Sequence, residues 1–233
     1  MNILRFIKDI LFAEEIILPK ANQLIKDKKI LVQGPQEKYP KSYSIREFEN
    51  LFNINYFAGL GFKNQSTLNA VKHECQLALQ SQFLNKEVLW LGALYSKEID
   101  SGFVNDVYIK WIDEHIGFGL YANKDFHKNA LIGEYSGLVR RYFPLWSNCN
   151  PYCYRYATSK FSNKLFTIDA SYNGNEIRFI NHSNHPNCES VVASHNGLFH
   201  TCIRTNKEIS RGTQLCYDYG NDYLRKENEL PDI

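Results

Sequence analysis

The dipeptide Asn196-Gly197, set between two β-rich runs across 191–204, constrains this chain more than any other local feature. A tight two-residue hairpin needs positive φ at both central positions, which Asn and Gly tolerate best. The flanking strands must therefore pair in one register, and the second half of the chain must build sheet. Its neighbours agree: Val107, Ile109 and Trp111 alternate with Tyr108 and Lys110, a half-buried strand. Arg211-Gly212 reads as a further turn before a strand at 215–217.

The first hundred residues have a different texture. Ile3, Leu4, Ile7, Ile10 and Leu11 recur at helical spacing. Ser44-Ile45-Arg46-Glu47 is a capping box, with Ile45, Phe48 and Phe52 along one face behind it. Ser66 is placed to cap a longer helix that turns Leu68, Val71, Cys75 and Ala78 inward. The texture changes after Ser101-Gly102, which sets a boundary near residue 102. The fold class expected is α+β, a helical N-terminal region followed by a compact unit of short sheets.

With 44% hydrophobic residues among 233, a packed core is affordable without staples, and a net charge of +2 is not the footprint of a nucleic-acid binder. The longest apolar run, 88–95, is too short to span a bilayer, and Lys8-Asp9 and Glu14-Glu15 interrupt any signal-peptide core. The cysteines at 75, 149, 153, 188, 202 and 216 form no CxxC pair and read as reduced thiols.

Four elements then fall in order: Gly117-Phe118-Gly119-Leu120, Glu134-Tyr135-Ser136-Gly137, Asn181-His182-Ser183-Asn184-His185-Pro186-Asn187 and Tyr217-Asp218-Tyr219-Gly220. Together they resemble the core of SET-domain protein lysine methyltransferases. The surrounding residues, Ile132-Gly133-Glu134-Tyr135 and Phe166-Thr167-Ile168-Asp169, are similar to the SET proteins of chlamydia-type intracellular bacteria. The resemblance implies a helical region over 1–102, a SET domain over 103–225 and a tail over 226–233. It also implies a knot-like fold, with the C-terminal segment tucked beneath the loop around Asn181.

The implied reaction moves a methyl group from the sulfonium of S-adenosylmethionine to a lysine amine by in-line displacement. The amine must be neutral, although a free lysine titrates near ~10.4. A narrow aromatic channel favours deprotonation by desolvation, and a neighbouring cation adds repulsion. By resemblance, Tyr219 is the first catalytic residue, its hydroxyl beside the transferring methyl. Tyr135 lines the lysine channel. Tyr217 stands where relatives carry Phe or Tyr, and a Tyr there favours low methylation states. Asn181, His182, Gly117, Phe118 and Gly119 bind the cofactor together with Tyr219. Without the resemblance each has a plainer reading, as strand aromatics or a turn between strands.

Two departures stand out. Gln214 replaces the usual Glu, and Tyr121 falls where many relatives have a basic residue. No metal site is expected. His182, His185 and Cys188 are regularly spaced, but Pro186 prevents the helix that would align them. Relatives that close the substrate site with zinc carry a Cys at the position of Asn184 and further cysteines after the catalytic Tyr, whereas this chain has none after Cys216. The last fourteen residues, with Tyr223 and Leu224, are candidates to cap the channel instead, and a frayed tail is the equal alternative.

The partner this implies is a basic protein or peptide, a histone or histone-like protein, with no direct nucleic-acid or membrane contact. Dimerisation through the N-terminal region stays open. So do two other readings: a SET-fold module that binds peptide without turnover, and a methyltransferase for a non-chromatin protein. The expected location is the bacterial cytoplasm or, after secretion as an effector, a host cell and its nucleus.

Overall fold

The computed structural model describes residues 16–18, 20–80, 86–143, 150–160 and 165–220. The helix expected around Ile3–Leu11, Cys149, and the capping candidates Tyr223 and Leu224 lie outside these residues.

The Asn-Gly turn forms as its chemistry requires. Asn196 and Gly197 take φ of 51° and 75°. They join β13 (Cys188–His195) to β14 (Leu198–Thr205), paired without slippage from Cys188 opposite Thr205 to His195 opposite Leu198. On its other edge β14 pairs with β7 (Leu131–Glu134).

Before residue 102 the chain is only partly helical. It supplies helices α1 (Ile45–Phe52), α2 (Gln65–Gln80), α3 (Lys86–Leu94) and α4 (Ser96–Ser101). It also supplies β1 (Lys29–Gln33), β2 (Lys41–Ser44), β3 (Asn55–Tyr56) and β4 (Leu60–Phe62). Three of these strands pair beyond the expected boundary. β1 runs parallel to β5 (Val107–Asp113), β3 to β11 (Asn173–Gly174), and β4 to β8 (Gly137–Arg141). The expected helical platform is corrected accordingly: its strands complete the sheets of the second half. At two to five residues, these strands are too short to carry a readable alternation.

The capping box of α1 is present, with Ser44 accepting from the Glu47 amide and the Glu47 carboxylate accepting from the Ser44 amide. The cap of α2 is not Ser66. Asn64 Oδ1 accepts from the Thr67 backbone at 2.8 Å, so the helix starts earlier. Val71, Cys75 and Ala78 face the core as expected, and Leu68 packs against it. Helix α3 lies on β13, and its Gly92 makes that possible: a Cβ there would sit 1.8 Å from the Ser194 carbonyl oxygen.

The remaining strands are β6 (Gly117–Ala122), β9 (Cys153–Arg155), β10 (Phe166–Asp169), β12 (Asn181–His182) and β15 (Cys216–Tyr217). Five small sheets result among the described residues, in orders β2-β1-β5-β6, β4-β8-β10-β9, β13-β14-β7, β11-β3 and β12-β15. Tyr156, Phe48, Phe166 and Phe199 are fully buried between them. No described helix is long and apolar enough to cross a membrane.

Candidate active site

The shortest sheet organises the site. β12 and β15 run parallel, with Asn181 opposite Cys216 and His182 opposite Tyr217. Two residues of parallel pairing are weak alone, and Asn187 stitches the contact. Its Nδ2 donates to the Gln214 carbonyl at 2.7 Å, its Oδ1 accepts from the Cys216 amide at 2.9 Å, and its own amide donates to the Cys216 carbonyl at 3.2 Å. Asn187 is thus the structural half of the polar loop, a role its place after Pro186 did not reveal.

That stitching delivers Tyr219 onto the loop. Its phenol donates to the Ile180 carbonyl at 2.8 Å, and its backbone N–H donates to His182 Nδ1 at 3.2 Å. Its ring centroid lies 4.8 Å from that of Tyr217 and 5.5 Å from that of His182. Tyr217 is buried and Tyr219 half-buried. Since His182 Nδ1 accepts, the neutral ring carries its hydrogen on Nε2. That Nε2 is buried and has no hydrogen-bond partner among the described residues. Asp218 lies 3.8 Å from Nδ1, beyond hydrogen-bond reach, and instead accepts from the Gly220 amide.

Asn181 reaches the other way, its Nδ2 donating to the Phe118 carbonyl at 3.2 Å. This ties the polar loop to the Gly-Phe-Gly segment, where Gly117 has φ of 79°. Gly119 answers a different need. A Cβ there would stand 2.8 Å from Ile112, 2.9 Å from Gln214 Nε2 and 3.1 Å from Asn181 Nδ2. Gln214 Oε1 accepts from the Tyr121 hydroxyl at 3.2 Å, while its buried Nε2 has no partner among the described residues. The Phe118 ring packs against Trp111, Phe52 and Phe179. Asn181 and Gln214 therefore meet at Gly119, with Phe118 tied to Asn181 and His182 next to Asn181 on β12, and the site carries two buried nitrogens, His182 Nε2 and Gln214 Nε2, without a partner among the described residues. An acceptor-rich ligand would satisfy them.

Tyr135 belongs to a second group. It is buried, its hydroxyl donates to the Tyr152 carbonyl at 3.0 Å, and its ring lies 5.4 Å from that of Tyr154. Burial pushes its phenol well above the usual range, so it stays protonated and able to donate. Arg178 stacks 3.9 Å over the Tyr152 ring and donates through Nε to the Ala170 carbonyl. The segment 178–182 thus runs from the Tyr135 group to the Tyr219 group. Neither Arg178 nor Tyr152 is marked as a site residue by the sequence.

His182, His185 and Cys188 do not converge: no cluster of three or more His, Cys, Asp or Glu placed to hold a metal occurs among the described residues. Burial, with Cys216 adding to it, pushes the Cys188 thiol up to about 12, which leaves it a protonated core residue.

The family model of the SET domain matches residues 117–220, from the first glycine of the site to the residue after Tyr219. Among curated proteins, human histone-lysine N-methyltransferase 2D is 31% identical over 183 residues, 73% of this chain and 3% of that protein. Human histone-lysine N-methyltransferase 2B is 33% identical over 121 residues, 49% of this chain and 4% of that protein. The N-lysine methyltransferase KMT5A of Xenopus tropicalis is 31% identical over 113 residues, 45% of this chain and 33% of that protein. The chain spans a third or less of the length of each of these relatives. Residues 117–220, which carry the Gly-Phe-Gly segment, Tyr135, the polar loop and Tyr219, are a SET domain.

Proposed function

We propose that this protein is an S-adenosylmethionine-dependent protein lysine methyltransferase acting on a basic protein, a histone or histone-like protein. The observation that carries the reading is the β12–β15 contact. It holds the Tyr219 phenol against the Ile180 carbonyl, one residue from Asn181 and against the ring of His182. The SET match and the lysine methyltransferase relatives support the reaction class.

S-adenosylmethionine fits the donor set, and when bound it supplies an electrophilic methyl on a sulfonium. Asn181, His182, Gln214 and the backbone at Gly117 and Gly119 would hold it. In this reading the paired rings of Tyr219 and Tyr217 wall the place where an amine would enter, and Tyr135, packed on Tyr154, lines the approach. Aromatic walls desolvate the amine and favour its neutral form. Holding two reactants in line supplies up to ~7–11 kcal/mol of the barrier reduction in well-oriented systems. The Tyr217 hydroxyl narrows the space at the amine, so the product is a low methylation state. Tyr217→Phe is expected to raise the share of higher methylation states by mass spectrometry, and an unchanged distribution would remove that role. We read the C-terminal segment as threaded beneath the loop around Asn181, and the protein as an effector of an intracellular bacterium of the chlamydial type, acting in the bacterial cytoplasm or in a host cell.

The test is incubation with radiolabelled S-adenosylmethionine and a panel of histones and bacterial lysate. Label is expected on a basic protein, with a loss of at least ~10²-fold in Tyr219→Phe, as for removal of one aimed donor. Donor binding with no transfer to any protein would favour a peptide-binding module instead.

A further inference from the structure

Behind Tyr135 lies a buried acid–base pair that the proposed reaction does not use. His200 Nδ1 and Glu134 Oε1 are 2.6 Å apart, and both residues are about 95% buried. His200 Nε2 lies 3.3 Å from the His195 carbonyl oxygen. A carbonyl only accepts, so Nε2 carries hydrogen. Nδ1 then faces a carboxylate, and a second proton sits between them. With that proton both ring nitrogens are satisfied. Without it, one of the two contacts sets a lone pair against an acceptor.

The pair joins β14 to β7 one residue before Tyr135. The Glu134 carbonyl accepts from Asn175 Nδ2 at 3.0 Å, and the Tyr135 amide donates to the Thr201 carbonyl at 2.8 Å. Extended backbone alternates, so the next side chain, the Tyr135 ring, turns away from His200 and onto Tyr154.

We propose that Glu134 and His200 are positioning residues: their shared proton clamps β7 against β14 and so holds the Tyr135 phenol on the Tyr152 carbonyl. The proposal rests on the reading above, in which Tyr135 lines the path of the lysine. Other titratable groups face the pair. Asp100 of α4 acts on His200, and Glu134 acts on Cys202 of β14 and on Tyr156 beyond β9. The His195 ring, held by Asp100 at 2.9 Å, lies 6.2 Å from that of His200. Burial alone would lower the His200 pKa, but the charge and hydrogen bond of Glu134 prevail and raise it above its ordinary 6.5. The clamp is closed below the ordinary histidine range and opens as pH rises through that raised value. A neutral amine needs the opposite change, so transfer gains from alkali until the clamp lets go.

Histidine and tyrosine ring resonances of the full chain, isotope-labelled at both residue types, test this as pH is raised. His200 is expected to titrate above ~6.5, and the Tyr135 ring to shift with the same midpoint. In Glu134→Gln the His200 midpoint should fall to ~6.5 or below. In methyl-transfer assays the rise of kcat/KM with pH that the neutral amine brings, about tenfold per unit, should level off above that midpoint in the wild type. His200→Gln, whose amide donates to Glu134 without titrating, should keep rising through that range. A Tyr135 ring that ignores the His200 titration overturns the clamp, as does a His200 midpoint below ~6.5 in the wild type. Rings that titrate together in a protein that transfers no methyl group leave the clamp standing and reject the methyltransferase reading.

Discussion

The two ends of segment 178–182 are built on opposite plans. At the Tyr219 end, His182 Nε2 and Gln214 Nε2 are buried without partners among the described residues. At the Tyr135 end the polar groups are closed on one another: Tyr135 on Tyr152, His200 on Glu134, Asp169 on Arg140, Asn150 and Ser171. There the unpartnered atoms are two threonine hydroxyls, Thr158 and Thr167. Leaving a buried donor unmade costs about 1–3 kcal/mol, and at the first end the unmade donors are N–H groups that a bound acceptor would satisfy. On the proposed function, the first end would take a small acceptor-rich molecule, and the second would frame the Tyr135 side chain.

Removing a frame residue is the largest way to break the contrast. Asp169→Ala breaks the ion pair to the Arg140 guanidinium, 15% exposed, and the bonds from Asn150 and Ser171, and should cost about 3–5 kcal/mol in denaturant unfolding. A loss under 1 kcal/mol would mean that the frame is not rigid. Tyr219→Phe comes next and should divide function from stability. Stability falls by no more than about 0.5–1.5 kcal/mol, the worth of one ordinary hydrogen bond, while activity drops by at least ~10²-fold.

Acid and base should act at different places. Asp169 is pushed upward by burial, but the bonds from Ser171 and Arg140 prevail and hold it below 3.8. Its contribution is full above that value and is lost as pH falls through the lowered one. His200 runs the other way: its contribution is full below ~6.5 and is lost as pH rises through its raised value. Thermal melts in Asp169→Asn and His200→Gln should each flatten one limb, acid and alkaline respectively. The smallest effect is expected at Gln214→Met. Its buried Nε2 has no partner among the described residues and its Oε1 accepts one bond, from Tyr121, so stability should fall by no more than about 0.5–1.5 kcal/mol, while S-adenosylmethionine affinity by calorimetry falls roughly tenfold.

What the sequence revealed follows the same division. Asn196-Gly197 and Ser44 with Glu47 were legible because a turn or a cap is settled by residues one to three apart. The polar loop and Tyr219 were legible only as a pattern, because the chemistry they share depends on the β12–β15 contact. The frame was not legible. Glu134 and His200 are 66 residues apart, and nothing local marks either as a partner. β1, β3 and β4 escaped because neighbouring strands, not their own sequences, define them. Asn64 and Ser66 are both good caps, and only the reach of Asn64 to Thr67 decides between them.

The most direct measurement is mass spectrometry of histone peptides after incubation with S-adenosylmethionine bearing a heavy methyl, using wild type and Tyr219→Phe side by side, with donor binding measured for both. Heavy methyl on a lysine Nζ in the wild type, lost in a Tyr219→Phe protein that still binds the donor, is the expected result. Equal incorporation by the two proteins would contradict the role of the Tyr219 phenol.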